Sequence, residues 1–275
     1  MRHPSRFAFR AGLSAIATVA LTIFACARAQ DDSDAKSTDA TAAAKSTDAK
    51  PDDVGQGLQR LSEKHDIWID LKNKEVVLKG EICRRQCQLE MLVTLKGGKE
   101  HESVVAVNTL AKYAHAALLA LGARQGKPVQ FRPKYQPPTG TEIEVLFRWV
   151  DSEGKTQEVR GQEWVRYTRT QRAMDLPFVF AGSEIYKDET TGETRYRAED
   201  GDLICVSNFP TAMCDVPAKS SQGASDLLFE AFSERIPPVK TPITMILRPL
   251  LDKKPHVREP PKPAPQKSPG KSKGK

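Results

Sequence analysis

The chain has 275 residues and a formal net charge of +7, and its length allows one or two domains. The positive charge does not indicate a basic folded surface, because residues 253–275 carry eight Lys or Arg against one Glu, and residues 54–252 are close to neutral. We therefore expect no specific nucleic-acid binding.

The first 29 residues have the pattern of a secretory signal peptide. Residues 1–10 contain three arginines and no acid, residues 11–25 are apolar, and Ala27-Arg28-Ala29 supplies an A-x-A cleavage site. The apolar run is shorter than the roughly 20 residues that a membrane span needs. We expect export to the periplasm or the extracellular space. An alternative is lipid anchoring at Cys26, although Phe24 is bulky for a lipoprotein signal.

Two polar segments flank the expected domain at residues 54–252. Residues 30–53 hold seven Asp against three Lys and repeat AKSTDA at Ala35 and Ala44. They contain too little apolar bulk to offset chain entropy, which predicts a disordered acidic leader. Residues 253–275 are rich in Pro and Lys, which predicts a disordered basic tail. This tail is suited to an envelope polymer or another anionic surface, through contacts that salt screens.

Alternating apolar residues and turn signals predict most of the strands in the domain. Two hairpins are expected, one across residues 67–82 about Lys72-Asn73-Lys74 and one across residues 185–196 about the 189–192 turn. A long strand at 142–150 should return through 156–160. The other expected strands lie at residues 89–95, 99–107, 163–168, 178–180, 203–206 and 243–247, with a short extended piece at 129–131.

Two helices complete the predicted fold. The main helix covers about 109–122, with Asn108 as N-cap, an apolar stripe, and Gly122 or Gly126 at its end. A shorter helix is expected at about 225–234, before Pro237-Pro238. Because no βαβ unit repeats, we predict a single α+β domain of mostly antiparallel strands.

The densest polar cluster is the 99–103 segment, which consists of Lys99, Glu100, His101, Glu102 and Ser103. On a strand, His101 and Ser103 would share a face, as a base and nucleophile pair requires. No acid or oxyanion donor that completes such a site is identifiable. Two carboxylates alone are a weak site for a hard cation. The alternative is a strand entrance with solvated charges.

Other polar residues are candidates for the same cleft. Asp202, Ser207 and Asn208 bracket an expected core strand, although turns and caps are the commoner use of such residues. His115, within the main helix, is expected to be a partly buried, hydrogen-bonded histidine. We assign no catalytic residue, no metal and no cofactor.

Four cysteines remain after signal-peptide removal: Cys83, Cys87, Cys205 and Cys214. An oxidising compartment permits disulfides in three pairings, and buried thiols are the alternative if Cys83 and Cys205 lie in strands of one sheet. The C-x3-C and C-x8-C spacings supply four sulfur ligands but are not usual zinc spacings. A metal or redox role therefore stays an alternative.

Several motifs resemble one family. KEHESVVAVNT from Lys99, HAALLALGA from His115, GTEIEV from Gly140 and DLICVSNFPTAM from Asp202 resemble the YdjY-domain proteins, which are bacterial envelope proteins frequent in planctomycetes. The resemblance covers about residues 67–247. It implies an exported domain of unknown function and brings no activity, cofactor or catalytic residue with it.

The sequence thus favours a non-catalytic binding or scaffold module of the cell envelope, whose partner is unknown. Two alternatives remain, a hydrolase or metal-dependent enzyme that uses the 99–103 segment, and a metal or redox module built on the cysteines. The enzyme requires His101, Glu102 and at least one of Asp202, Ser207 and Asn208 around one pocket.

Overall fold

The computed structural model describes residues 57–220 and 228–252. The predicted signal peptide, acidic leader and basic tail, with Cys26, lie outside these residues. The described part forms one domain of mostly antiparallel strands with one α-helix. The strands are β1 Leu58–Arg60, β2 Ile67–Asp70, β3 Glu75–Ile82, β4 Met91–Leu95, β5 Val105–Val107, β6 Glu142–Val150, β7 Thr156–Arg160, β8 Val165–Tyr167, β9 Phe178–Val179, β10 Ile185–Lys187, β11 Thr194–Tyr196, β12 Ile204–Cys205, β13 Phe229–Ala231 and β14 Pro242–Pro249.

Ten of these strands form one sheet, whose main path runs β12-β4-β5-β3-β14-β6-β7. Strand β2 joins β1 to β3, and β9 pairs with β6. Neighbouring strands are antiparallel except for β4 and β5, which are parallel. Two further pairs, β10 with β11 and β13 with β8, lie outside this sheet. The chain's last described strand, β14, thus lies in the middle of the sheet between β3 and β6.

The predicted hairpins are confirmed. Strands β2 and β3 pair as an antiparallel hairpin, with Trp68 opposite Val77. Strands β6 and β7 pair across the turn at Asp151, and β10 and β11 form the second short hairpin. Period-two alternation with strong turn residues on both sides fixes such local pairings without help from distant parts of the chain.

The main helix, α1, covers Ala111–Ala120 and buries its apolar stripe, including Ala114 and Leu118. The prediction of Asn108 as N-cap is wrong, because the Asn108 amide donates to Asp66 instead. Leu110 is the N-cap and contributes no side-chain hydrogen bond. At the other end Gly122 has a φ of +93° and closes the helix, as predicted. No helix in residues 57–220 and 228–252 is both long and apolar enough to span a membrane.

The predicted second helix is wrong over its described residues. Residues 225–227 lie outside the described part, and the chain that follows forms β13, paired with β8. Phe229 and Ala231 are buried while Glu230 between them faces Arg166, an alternation typical of a strand. Tertiary pairing therefore outweighs the helix-start signals at Ser225 and Asp226.

The predicted 99–107 strand is correct only at its end. Residues 100–102 form a 3₁₀ turn, Glu100–Glu102, and the strand begins at Val105. A hydrogen bond from the Ser103 hydroxyl to the Lys99 carbonyl closes this turn. The alternation of side chains assumed for the 99–103 segment is therefore absent.

The main hydrophobic core is formed by residues of the large sheet, of α1 and of the β8–β13 pair. Phe147 of β6 stacks on Trp164, with ring centroids 4.5 Å apart and planes 6° from parallel. Trp164 belongs to a second 3₁₀ turn, Gly161–Trp164, and is fully buried. A third 3₁₀ turn, Arg197–Asp200, contacts α1 and carries Glu199 to the start of that helix.

Candidate functional site

Lys99 is held inside the structure rather than presented to a ligand. Its ammonium lies 2.8 Å from the Asp202 carboxylate, with side-chain exposures of 28% and 4%. It also lies 4.9 Å from the centre of the Phe209 ring. Burial lowers the pKa of Lys99, but the hydrogen bond and charge of Asp202 outweigh it and hold this pKa above its ordinary value. Lys99 therefore neutralises a buried carboxylate.

The proposed base and nucleophile of the 99–103 segment are separated. The His101 side chain is 72% exposed and lies 3.6 Å from Glu102. Ser103 is buried, and its hydroxyl donates to the Lys99 carbonyl at 2.6 Å. Glu100 accepts a hydrogen bond from the Gly97 amide. The prediction that His101 and Ser103 share one face is wrong, because the 3₁₀ turn rotates successive residues differently from a strand.

Glu90 joins this cluster and was not among the predicted site residues. Burial raises its pKa, and the neighbouring Glu102 carboxylate raises it further, against the opposing effect of Lys99. Glu90 directly precedes β4, at a position that carries no motif. Its proximity to Glu102 results from the fold, because the parallel pairing of β4 with β5 places the segments before them side by side.

Asp202, Ser207 and Asn208 have structural contacts. Thr211 donates to Asp202, and the Ser207 hydroxyl donates to the Leu89 carbonyl at 3.0 Å. Asn208 has a φ of +62°, which asparagine tolerates better than most residues. Its amide nitrogen donates to Ser220 at 2.8 Å. Of the three residues, only Asp202 meets a member of the 99–103 segment.

Asp215, also missed from sequence, organises the loop that follows β12. It is fully buried, and its two oxygens accept the backbone N–H groups of Phe209 at 3.1 Å and Val216 at 2.8 Å. Burial raises its pKa well above the ordinary value, against the lowering effect of these N–H groups. The Asp215 carboxylate thus joins two points of its own loop through backbone hydrogen bonds.

Cys83, Cys87, Cys205 and Cys214, considered above as possible disulfide partners, are free thiols in this structure. Burial raises the pKa of Cys83 to about 12 and that of Cys87 to about 11, so both are poor nucleophiles at neutral pH. Cys205 and Cys214 are fully buried in two separate apolar clusters, and burial raises the pKa of each. Within residues 57–220 and 228–252, no group of three or more His, Cys, Asp or Glu is arranged to hold a metal ion.

A groove of about 850 Å³ lies between the start of α1, the turn after β4 and the β10–β11 hairpin. This volume is within the range of small-ligand sites. Among the predicted site residues, only His115 lines it. The lining residues are Leu95, Lys96, Gly97, Gly98, Thr109, Leu110, Lys112, His115, Ile185, Tyr186, Thr194, Arg195, Tyr196, Glu199 and Asp200.

His115 is bound into the groove wall. Its Nδ1 lies 2.8 Å from the Tyr196 hydroxyl, which donates to the Gly182 carbonyl at 3.1 Å. The imidazole is therefore hydrogen-bonded to Tyr196 through Nδ1. The ring also packs edge-on to Phe180. Burial lowers the pKa of His115, so the imidazole is neutral at neutral pH and matches the predicted hydrogen-bonded histidine.

The other groove residues were missed because nothing in the sequence connects them. Ile185 is 65% exposed, a large apolar side chain on a short hairpin strand. Its exposure follows from its position on β10, which pairs only with β11. In the sequence, Lys96 and the two glycines after it have the pattern of a strand end. The remaining lining residues come from segments up to about 100 positions apart in the chain. The signal that the sequence did offer is a single isoleucine, Ile185, in a hairpin whose other residues are mostly polar.

A family model described as the YdjY domain matches residues 67–248, about two thirds of the chain. The chain belongs to the YdjY-domain family. Comparisons with curated proteins and with solved structures find no match. The YdjY match covers α1, the 99–103 segment and every residue of the groove, so the groove is part of the YdjY domain itself.

Proposed function

We propose that this YdjY-domain protein is an exported, non-catalytic binding protein of the cell envelope, and that the groove beside α1 is its ligand site. The observation that carries this proposal is an open groove of about 850 Å³ with a large, exposed apolar side chain, Ile185, in its wall. Exposed apolar surface in a concave site is typical of ligand binding.

The state of the reactive groups supports binding over catalysis. Lys99 is paired with Asp202, and the Ser103 hydroxyl is bonded to a backbone carbonyl. The thiols of Cys83 and Cys87 have raised pKa values. A nucleophile needs an adjacent base or a lowered pKa. Asp202 raises the pKa of Lys99, and the hydrogen bonds of Ser103 and Cys83 go to backbone carbonyls.

Export is proposed from the sequence of residues 1–29 and tested independently of the groove. Expression in a bacterial host should yield a periplasmic protein whose measured mass is that of a chain starting near Gln30. A mass that includes a diacylglycerol on Cys26 would support lipid anchoring instead. The full-length mass in the cytoplasm would contradict export.

The groove is tested by ligand-observed NMR with a fragment library on the full chain and two matched variants. Ile185→Asp places a charge in the groove wall. The control, Val150→Asp, places the same charge outside the groove, at the end of β6, where Val150 is 61% exposed. We expect fragments that bind the unmodified protein to lose binding in Ile185→Asp and to keep it in Val150→Asp.

Two results would contradict the proposal. Fragment binding that survives Ile185→Asp would place the site elsewhere. Turnover of ester, glycan or phosphodiester substrates by the purified protein, with loss of that activity in His101→Ala, would make the protein an enzyme that uses the 99–103 segment.

A further inference from the structure

The charges that line the groove fall into two groups, those already engaged by the protein and those left for a ligand. Both oxygens of Glu199 accept backbone N–H groups at the start of α1, from Ala111 at 3.0 Å and from Lys112 at 2.9 Å. Arg195 lies 3.5 Å from each of two carboxylates, Asp188 and Glu193. These groups are compensated within the fold.

Two lysines of the groove are not compensated in this way. Within residues 57–220 and 228–252, neither Lys96 nor Lys112 forms an ion pair with a carboxylate. Both lysines are exposed. The Lys112 ammonium lies 5.7 Å from the centre of the Tyr113 ring. The lining also holds two acids, Asp200 and Glu199, and both oxygens of Glu199 are engaged by helix N–H groups.

The wall next to the lysines is apolar and aromatic. Leu95 and Leu110 contribute aliphatic surface, Ile185 is exposed, and Tyr186 and Tyr196 add two rings. An apolar ligand body gains free energy by removing this surface from water. Lys96 and Lys112 are exposed, so a charged group of the ligand meets them at the rim of the groove.

We propose that the ligand of this groove is an anion of small-molecule size, with an aromatic or aliphatic body and one carboxylate or phosphate group held by Lys96 and Lys112. This inference rests on the proposed function of the groove and specifies its ligand class. A neutral ligand adds no counter-charge for either lysine. A cationic ligand meets three cationic side chains, Lys96, Lys112 and Arg195, against the two acids of the lining, and both oxygens of Glu199 already accept helix N–H groups.

A pair of fluorescent probes that differ only in charge tests the inference. Anilinonaphthalene sulfonate is an aromatic anion, and phenylnaphthylamine is the same ring system without the sulfonate. Fluorescence titration of the full chain should give tighter binding of the sulfonate. In the double variant Lys96→Gln/Lys112→Gln, its affinity should fall about tenfold, because two exposed ion pairs are lost, while the neutral probe is unaffected.

The matched control is Lys127→Gln/Lys155→Gln, which removes two exposed lysines outside the groove lining. It should leave the affinity of both probes unchanged. Displacement of the sulfonate probe by benzoate and by phenyl phosphate then distinguishes the two anionic groups. Displacement by either supports the inference, and the stronger competitor identifies the preferred group.

The outcomes separate this inference from the proposed function. If both probes bind with equal affinity, lose binding in Ile185→Asp and ignore the lysine substitutions, the groove binds ligands but does not select anions. If neither probe responds to Ile185→Asp, the groove is not the binding site. If the groove and control lysine variants lose the same affinity for the sulfonate probe, the loss reflects the net charge of the protein and not the groove. That result would overturn the inference.

Discussion

The 99–103 segment and the groove beside α1 show opposite relations between sequence and surface. The segment concentrates an ammonium, an imidazole, two carboxylates and a hydroxyl in five residues, yet the structure engages Lys99 and Ser103 internally. The groove has no motif, yet it leaves Lys96, Lys112 and Ile185 exposed around one concavity. Chemical variety along the chain is therefore a poor guide to function unless the fold leaves those groups free.

The largest expected effect comes from breaking the ion pair of the segment. Lys99→Met should leave Asp202 as a buried carboxylate whose Oδ1 has no other hydrogen-bond partner among the described residues. We expect a loss of about 2–3 kcal/mol in the free energy of unfolding, below the full cost of a broken buried pair because Lys99 is partly exposed. Urea denaturation measures it.

The matched substitution in the groove is Lys96→Met, three residues earlier in the chain. It should change the free energy of unfolding by no more than about 0.5 kcal/mol, because no ion pair is lost. Equal effects of the two substitutions would show that Lys99 is as free as Lys96 and would remove the distinction between the two regions.

A smaller loss is expected from Ser103→Ala. The substitution removes the hydroxyl that closes the 3₁₀ turn onto the Lys99 carbonyl, a hydrogen bond worth about 1 kcal/mol. Thermal unfolding should show a lower Tm, with probe binding to the groove unchanged. A variant with unchanged Tm and altered binding would assign Ser103 to the ligand site.

Glu90→Gln should stabilise the protein at neutral pH. The raised pKa of Glu90 comes from burial and from Glu102, so the native state binds its proton more tightly than the unfolded state does. That contribution is present below the ordinary pKa of 4.5 and is lost as pH rises through the native value. The variant should gain up to about 1 kcal/mol near neutral pH and nothing in acid. A gain that persists at low pH would contradict this origin.

The smallest effect concerns His115, whose pKa shift has the opposite sign. Because burial lowers the pKa of His115, its contribution to stability is present above the ordinary value of 6.5 and is lost as pH falls through the native value. We expect His115→Gln to flatten the decline in Tm between about pH 7.5 and about pH 5. An unchanged pH profile would show that His115 is solvated in the native state.

The sequence predicts the local parts of the fold well. The hairpins, the main helix and the family were predicted correctly, because alternation, turn residues and short motifs act over a few residues. The errors arise where contacts between distant parts of the chain determine the local structure. Glu199 rather than Asn108 receives the first N–H groups of α1, and pairing with β8 makes β13 a strand rather than a helix.

The candidate site follows the same rule. Both Lys99 and Asp202 were selected from the sequence, and they do meet in the structure. The sequence could not show that each neutralises the charge of the other. It selected His115 and missed the other groove residues, since a groove assembled from a helix, a turn and a hairpin has no periodicity to detect. Whether a charge is compensated is decided by the folded structure.

The most direct test of the groove as the functional site is a map of backbone amide shifts for the isotope-labelled full chain, titrated with a fragment that binds it. Our interpretation predicts the largest shifts at Lys112, Ile185 and Tyr196, with Glu90, Glu102 and Ser207 unmoved. Shifts concentrated at Glu90, Glu102 and Ser207, with the groove amides unmoved, would contradict it.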